Sequence, residues 1–378
     1  YVEKLFSAGH AYYCFCTEED LESERQAMLA AGRAPKYSGK CRNRSAADAS
    51  KNIASGKDSV IRFRMPEEKI AVDDMVRGKT LFDMALVGDI AIAKKPEAPF
   101  YNLAVVVDDF EMKISHVIRG EEHFANTPKQ IAIGEALGIP RPKFAHIPLI
   151  LNPDRSKMSK RHGATSVEEY RDAGYLPDAL LNFLALLGWH PLPEVDRETG
   201  KVIEREIFTL AELIERFDIE RVQKGGAAFN IDKLDWLNAQ YLKRLSAEEF
   251  IAAGRRIGAI REGADLKKLN KIVALVRERI KKLTDFPDLT SFFFTRPDYE
   301  TAMLLWKQTT GEATRQNLTA AQKEISAVNP NAFNREALEA SLASIAKTRG
   351  RGEVFWPLRV ALSGRDASPG PVEIMEIL

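Results

Sequence analysis

Short runs of apolar residues follow one another between residues 59 and 151, each about as long as a β-strand. They are rich in β-branched residues, which favour strands. Polar and turn-forming residues separate the runs. The pattern therefore predicts strands at residues 60–64, 90–93, 103–108, 114–118 and 144–151.

The run at residues 103–107 is apolar without alternation and is followed by Asp108 and Asp109. Such a run is typical of a strand that is buried on both faces of a parallel sheet. Residues 127–137 then predict a helix that ends before Gly138, and the next strand ends at Leu151. This succession predicts a βαβ unit, the building block of a doubly wound sheet.

The pattern changes after residue 152, and beyond about Arg205 nearly all of it has helical periodicity. Residues 266–283 predict one strongly basic amphipathic helix. Its apolar positions recur at helical spacing, at Leu266, Leu269, Ile272, Val273, Val276, Ile280 and Leu283. We therefore expect an α/β part followed by an all-α part.

Composition supports a folded protein of several domains. The chain has 378 residues, 45% hydrophobic and 29% charged, with a net charge of +1. At about 150 residues per domain, this length predicts two or three domains. The near-zero charge excludes a uniformly basic nucleic-acid binder, so any RNA site must be a local patch.

The apolar runs and the cysteines indicate the compartment. No run approaches the roughly 20 apolar residues that a membrane helix needs, so no span is predicted. Three cysteines within residues 14–41 do not form a disulfide framework in a chain of this length. They favour a reducing compartment, and we expect the protein to be cytoplasmic.

A basic loop follows the strand that ends at Leu151, and a helix is predicted to begin near Ser166 with Glu169 as its capping-box partner. Ligands of open α/β sheets bind at the carboxyl ends of the strands. The loop carries Lys157, Ser159, Lys160 and Arg161. These groups suit a triphosphate, because catalysis of phosphate chemistry depends mostly on positioning and charge stabilisation. The alternative is a solvated surface loop.

This loop, Lys157-Met158-Ser159-Lys160-Arg161, resembles the signature loop of class I aminoacyl-tRNA synthetases. Three further segments in the same order resemble the catalytic core of bacterial-type glutamyl-tRNA synthetases: residues 101–109, 115–123 and 126–130. The segment 183–189 continues the match. The resemblance covers nearly the whole chain.

The resemblance implies a Rossmann-like parallel sheet with an acceptor-binding insertion, followed by helical stem-contact and anticodon-binding regions. It divides the chain into residues 1–100, 101–160, 161–236 and 237–378. The implied activity is ATP- and Mg²⁺-dependent joining of glutamate to tRNA(Glu) by a protein that we expect to be a monomer. No membrane partner is expected.

The resemblance also implies roles for individual residues. Lys160 corresponds to a contact with the ATP phosphates, with Lys157, Ser159 and Arg161 in the same catalytic loop. Glu122 and His123 correspond to positions near the adenosine and the substrate, and Tyr101 and Arg119 to positions that hold glutamate. A guanidinium pairs bidentately with a carboxylate, which suits Arg119. The alternative for Arg119 is a structural ion pair with Asp108 or Asp109.

The family's His-Ile-Gly-His-like motif near its N-terminus is absent from this chain, which begins at Tyr1. We expect that sequence precedes Tyr1 and that the helical pattern at Leu378 continues beyond it. We also expect this chain alone to be inactive.

Cys14, Cys16 and Cys41 supply three soft donors, one fewer than the tetrahedral set of a structural zinc site. Zinc-bearing relatives have a Cys-x-His pair, but Asn43 occupies the histidine position here. Tyr37 matches a phenolate ligand of some relatives. Zinc at these four residues is one interpretation, and three reduced thiols without an ion are the other.

Two other functions are compatible with parts of this pattern. A glutamate-activating relative that modifies a queuosine base of tRNA shares the catalytic core, but it lacks a long helical C-terminal region. A non-catalytic RNA-binding protein derived from a synthetase would keep the basic segment around residues 267–282 and lose the active site. The Lys157–Arg161 loop and Arg119 argue against the second alternative.

Overall fold

The computed structural model describes residues 1–158, 166–196 and 198–378. The chain divides into two compact units, of which the first comprises Tyr1–Met158, Ala185–Glu206 and Leu213–Phe229. The second comprises Ser159–Leu184, Ile207–Glu212 and Asn230–Leu378. Within the described residues, no helix combines the length and the apolar character needed to span a bilayer.

All strands of the described chain belong to the first unit. They are β1 (Ala11–Cys14), β2 (Val60–Phe63), β3 (Lys69–Asp74), β4 (Gly78–Asp83), β5 (Ile90–Lys95), β6 (Ala98–Pro99), β7 (His116–Gly120), β8 (Lys143–Ile147), β9 (Ile150–Leu151), β10 (Glu194–Val195), β11 (Val202–Ile203) and β12 (Ala227–Ala228).

The helices follow in chain order. They are α1 (Val2–Ser7), α2 (Glu18–Ala30), α3 (Ala46–Ala54), α4 (Tyr101–Glu111), α5 (Thr127–Ala136), α6 (Val167–Asp172), α7 (Pro177–Gly188), α8 (Leu210–Arg216), α9 (Ile231–Arg244), α10 (Ala247–Arg256), α11 (Leu266–Val276), α12 (Asp285–Thr290), α13 (Gly311–Ser326), α14 (Arg335–Arg349), α15 (Arg351–Ser363) and α16 (Pro371–Met375).

The first unit contains two four-stranded sheets. One has the order β1-β2-β5-β6 with antiparallel pairs, and the other has the order β4-β3-β8-β7. In the second sheet β8 is parallel to both β3 and β7, while β4 is antiparallel to β3. Helix α5 connects β7 to the parallel strand β8, so a βαβ unit is present, but its first strand is β7 and not the predicted strand at residues 103–108. Short pairs β9-β12 (parallel) and β10-β11 (antiparallel) complete the unit.

One apolar core joins these sheets to the helices of the first unit. It includes Leu5 of α1, Ile61 and Phe63 of β2, Val72 of β3 and Ile133 of α5. Alternate residues of β3 are buried, so one face of this strand contributes to the core. The α/β character predicted for this half of the chain is therefore confirmed.

The second unit is helical, as predicted. One core forms where α10, α11 and α12 meet, around Phe250, Ile272 and Phe286. Another lies among α13, α14, α15 and α16, around Leu338 and Val354. These helices begin at polar caps such as Ser246, whose side chain and Glu249 form a capping box.

The prediction of a buried strand at residues 103–108 is wrong, because the segment lies in helix α4. Leu103, Val106 and Val107 pack against the core of the first unit. Their i, i+3, i+4 spacing places them on one face of a helix. Tertiary packing of this face outweighs the strand preference of its three consecutive valines.

Two other boundaries also differ from the prediction. The predicted basic helix at residues 266–283 ends at Val276, and Ile280 and Leu283 reach the same core from the segment that follows. The predicted strand at 144–151 is divided into β8 and β9 by Pro148, which has no backbone N–H to donate. The helix predicted near Ser166 is confirmed as α6, including the capping box with Glu169.

Gly174 provides a test of the packing in the second unit. It has φ +93°, and a Cβ added there would lie 2.7 Å from the backbone nitrogen of Thr284. Gly258 has a similar φ of +75°, but a Cβ would meet nothing within 4 Å. We expect Gly258→Ala to lower the free energy of unfolding by about 1 kcal/mol through backbone strain alone. We expect Gly174→Ala to lower it by about 3 kcal/mol, because a backbone must also move.

Urea denaturation followed by circular dichroism measures both variants against the unchanged chain. Equal shifts of the two midpoints would show that the close approach at Gly174 contributes nothing.

Candidate active site

The candidate site lies where strands β7 and β8 end and the polypeptide turns into α5. Arg119 of β7 and His146 of β8 are direct neighbours in the parallel register. A 3-10 helix at Glu121–Asn126 follows β7 and leads into α5, which has Pro128 in its first turn. Thr127 and Gln130 are three residues apart on this helix and therefore share a face.

Arg119 donates three hydrogen bonds, all to uncharged acceptors. Its Nε donates to His146 Nε2 (3.1 Å), and its Nη2 donates to Thr127 Oγ1 and Gln130 Oε1 (both 2.8 Å). Burial lowers the pKa of Arg119, and neighbours including Tyr101 and Asp109 oppose this effect. None of these three bonds uses Nη1, and the Tyr101 hydroxyl is a further polar neighbour of the guanidinium.

Within the part of the chain that the structure describes, Arg119 has no ion-pair partner. Asp108 and Asp109 lie in α4 and form no salt bridge with it, so the geometry does not favour the structural ion pair that was the alternative for this residue. Burying a cation without a partner is unfavourable, because the charge loses hydration. A half-buried guanidinium held by neutral groups is therefore suited to bind an anion.

Arg119 is linked through His146 to a buried carboxylate that the sequence analysis did not identify. His146 Nδ1 lies 2.6 Å from Asp74 Oδ2, and both side chains are inaccessible to solvent. Burial lowers the pKa of His146, against the opposing effect of Asp74, and the nearby Arg119 lowers it further. The pKa of Asp74 is also lowered: burial opposes ionisation, but donors from Arg77, His146 and Val76 outweigh it.

Tyr101 and His123 lie together beside Arg119. The Tyr101 hydroxyl is 3.4 Å from His123 Nδ1, and the two ring centroids are 5.6 Å apart. Tyr101 is the first residue of α4 and is 49% exposed, so its ring is accessible to a ligand. The next residue, Asn102, accepts a hydrogen bond from Gln130 Nε2 at 3.0 Å, which ties α4 to the helix that holds Arg119.

Glu122 is the second residue after the end of β7. Its carboxylate turns back towards Gly120, where an added Cβ would lie 2.1 Å from Glu122 Oε2. The structure thus brings Tyr101, Arg119 and His123 together, with Glu122 next to them in the chain. It adds Asp74, Thr127, Gln130 and His146, which sequence analysis did not assign to the site.

The first part of the lysine loop is a compact turn. The Asn152 backbone N–H donates to Ser156 O (2.8 Å), and the Asn152 side chain donates to Ser156 Oγ (2.9 Å). Arg155 has φ +65°, and Lys157 forms a β-bridge with Leu151 that fixes its backbone while its side chain stays exposed. The predicted catalytic residues Ser159, Lys160 and Arg161 lie outside the described residues.

The four predicted metal ligands lie together. The Sγ atoms of Cys14, Cys16 and Cys41 are all within 4.8 Å of one another, and Cys16 and Cys41 are 3.8 Å apart. The Tyr37 hydroxyl is 3.4 Å from Cys14 Sγ and 3.6 Å from Cys16 Sγ. Tetrahedral Zn²⁺ with Zn–S bonds of about 2.3 Å places its sulfur ligands about 3.8 Å apart. The donor set therefore fits a tetrahedral ion.

The surroundings of Tyr37 affect ionisation of its hydroxyl in opposite directions. The Cys41 backbone N–H donates to the hydroxyl at 2.9 Å, and the Arg62 guanidinium lies 3.9 Å from the ring centroid. Burial raises the pKa of the Tyr37 hydroxyl, and it raises the pKa of the Cys16 thiol to about 12. These groups therefore need a nearby positive charge to ionise.

Two family models together match nearly the whole chain, and the boundary between them lies near residue 237. Residues 1–236 match the family described as tRNA synthetases class I (E and Q), catalytic domain. Residues 238–378 match the anticodon binding domain family. The chain belongs to the class I tRNA synthetases of the E and Q type.

The similar curated proteins are named as glutamate–tRNA ligases. That of Carboxydothermus hydrogenoformans is 41% identical over 391 residues, covering 100% of this chain and 78% of the relative. Glutamate–tRNA ligase 1 of Caldicellulosiruptor saccharolyticus is 44% identical over 393 residues, with the same coverage. A crystal structure of a glutamate tRNA ligase from Elizabethkingia meningosepticum in complex with its amino acid has a TM-score of 0.82 at 30% identity, covering 100% of this chain and 78% of that one.

The pKa of His146 predicts how stability depends on pH. As pH falls below about 6.5, the unfolded chain takes up a proton at this histidine, whereas the folded protein does so only at lower pH. The stability contributed by neutral His146 is therefore complete above that pH and is lost as pH falls. We expect the free energy of unfolding to fall by up to about 1.4 kcal/mol per pH unit in this window.

Urea denaturation between pH 5 and pH 7 measures this slope. His146→Gln, which removes the titrating group, should have a shallower slope than the unchanged chain. If the two slopes agree, His146 is not the group responsible.

Proposed function

We propose that this chain belongs to a glutamate–tRNA ligase. It activates glutamate with ATP to form glutamyl-adenylate and pyrophosphate, then transfers glutamate to the 3′ end of tRNA(Glu) and releases AMP. The observation that carries this proposal is Arg119, a half-buried guanidinium whose bonded partners are all uncharged. Such a cation attracts the carboxylates of glutamate. Relatives that match the whole chain are named as glutamate–tRNA ligases, which also supports the proposal.

The active-site residues have distinct proposed roles. Arg119 contacts a carboxylate of glutamate through Nη1, with the Tyr101 hydroxyl beside it. Glu122 and His123 lie near the adenosine and the amino acid. The carboxylate that attacks ATP is already an anion, so no general base is needed, and positioning and charge stabilisation provide the acceleration.

The lysine loop is proposed to bind the triphosphate. The exposed Lys157 begins it, and Ser159, Lys160 and Arg161 continue it. Lysine is a mobile point charge, suited to the charge that grows on departing pyrophosphate. Mg²⁺ accompanies ATP in this reaction and screens its phosphates.

Partners and organisation follow from the same proposal. The match of residues 238–378 to an anticodon binding domain supports tRNA as the macromolecular substrate. The functional division at residues 100, 160 and 236 remains a proposal, with residues 1–100 as the acceptor-binding insertion. A monomeric state and a cytoplasmic location also remain predictions.

We further propose that Cys14, Cys16, Tyr37 and Cys41 hold a structural Zn²⁺. Four ligands close the coordination shell, so such an ion stabilises the fold and takes no part in catalysis. It would hold β1, from which Cys14 comes, to the segment around Cys41. The alternative, three reduced thiols without an ion, remains open to test.

The proposed ligase activity and the role of Arg119 are tested together. Full-length protein should catalyse glutamate-dependent pyrophosphate exchange in the presence of tRNA and should charge an unmodified tRNA(Glu) transcript. Arg119→Lys should raise the KM for glutamate by about tenfold or more, because lysine cannot reproduce the three donated bonds and the free Nη1 edge. Its KM for ATP should change little.

The tRNA substrate and the variant separate the alternatives. A queuosine-modifying enzyme would not charge a transcript that lacks the modified base, and a non-catalytic RNA-binding protein would show no exchange. An unchanged KM for glutamate in Arg119→Lys would remove this residue from the glutamate site. Charging assays with tRNA(Gln) as well as tRNA(Glu) determine the tRNA selectivity.

Metal analysis of purified protein tests the zinc proposal. We expect about one zinc per chain. Tyr37→Phe should keep the ring but lose zinc more readily to a chelator, because it removes one ligand. Tyr13→Phe, a matched change in the adjoining strand β1, should retain zinc as the unchanged chain does. Protein without zinc, or equal loss from both variants, would contradict the proposed ligand set.

A further inference from the structure

We propose that Asp74 and His146 form a positioning pair that holds Arg119 ready for the glutamate carboxylate without cancelling its charge. This inference rests on the proposed function, since it concerns how the glutamate site is built. It assigns a role to two buried residues that do not themselves touch the substrate.

Asp74 is an immobile base for this arrangement. It ends β3, is 3% exposed and accepts backbone N–H groups from Val76 (3.0 Å), Arg77 (2.9 Å) and His146 (3.1 Å). The ring Nδ1 of His146 lies 2.6 Å from the same carboxylate. A carboxylate bound by several donors remains ionised, and these bonds from strand β8 and the turn after β3 fix its position.

The partners of His146 determine where its proton lies. Nδ1 faces a carboxylate and must donate, whereas Nε2 receives the Arg119 Nε–H, because a guanidinium has no lone pair to offer. The imidazole is therefore neutral, with its proton on Nδ1. Phe124 packs edge-on against the ring at a centroid distance of 5.0 Å, and Phe144 stacks near it at 6.3 Å, so the ring cannot turn easily.

A neutral imidazole between Asp74 and Arg119 has an electrostatic consequence. A carboxylate in direct contact with Arg119 would fix the guanidinium equally well, but it would also neutralise the charge that attracts the substrate. The imidazole passes on the orientation set by Asp74 and keeps the two charges apart. Thr127 and Gln130 complete the set of neutral acceptors, so Arg119 keeps its charge and presents Nη1.

Two near-isosteric substitutions of His146 separate its two bonds. In His146→Asn the side-chain amide N–H replaces Nδ1–H towards Asp74, but no acceptor reaches Arg119. In His146→Gln the longer side chain places an acceptor near the former Nε2. We expect His146→Asn to raise the KM for glutamate by about tenfold or more in full-length protein, while His146→Gln stays within a few-fold of the unchanged protein. The KM for ATP should stay nearly constant in both.

A double-mutant cycle tests whether His146 acts through Arg119. In an Arg119→Lys background, His146→Asn should cause little further increase in the KM for glutamate, because its target has been removed. His116→Asn is the matched control, since His116 is an exposed residue of β7, and it should leave the kinetics unchanged. Nitrogen-15 NMR of the imidazole should show protonated Nδ1 and unprotonated Nε2 at neutral pH.

Several results would overturn this inference. A folded His146→Asn protein with an unchanged KM for glutamate would overturn it. So would an equal increase in this KM on adding His146→Asn to the unchanged protein and to Arg119→Lys. If the variant does not fold, the tautomer in the unchanged protein decides, and a protonated Nε2 would contradict the arrangement. If the unchanged protein shows no glutamate-dependent exchange, the proposed function fails, but the NMR measurement still decides the geometry of the pair.

Discussion

The candidate site depends on one constraint: Arg119 is a half-buried positive charge without an ion-pair partner among the residues that the structure describes. Its three described hydrogen-bond acceptors are neutral, so its desolvation is offset by hydrogen bonds and not by an ion pair. Such an arrangement stabilises a bound anion more than an exposed arginine would, because water screens it less. The surrounding structure can be understood as what is needed to keep this cation in place.

The parallel sheet and the helix that follows β7 supply the neutral acceptors. The register of β7 and β8 sets His146 beside Arg119, and the early start of α5 brings Thr127 and Gln130 to the same point. Asp74 comes from β3, on the other side of β8. Residues from four distant parts of the sequence thus meet at one sheet edge, where ligands of α/β proteins bind.

The cluster of Cys14, Cys16, Tyr37 and Cys41 differs from the Arg119 site in its chemistry. Four donors of one small region lie at separations suited to a tetrahedral ion, and in the proposed zinc site protein ligands would fill all four positions. Its features are those of a structural centre. The two sites differ in accessibility: the Arg119 site keeps a polar edge for a ligand, whereas the donors around Tyr37 face one another.

The sequence by itself determined the class of fold, the βαβ connection, the helical second half and the residues that resemble the family's motifs. Hydrophobic periodicity and capping groups depend only on residues close together in the sequence. Helix α6 with its Ser166 cap is one element that such local signals predict. The sequence-based prediction was wrong at residues 103–108, because a short apolar run is compatible with both a strand and a helix. Only the packing of Leu103 and Val106 against a core decides between the two.

Only the tertiary structure decided the environment of Arg119. Asp74 and His146 are 72 residues apart, and a lone histidine in an apolar strand gives no local sign of its partner. Thr127 and Gln130 were within a recognised motif, yet their role appears only when α5 is placed against β7. Local pattern specifies which elements form, whereas strand register and burial specify which side chains meet and which charges stay unpaired.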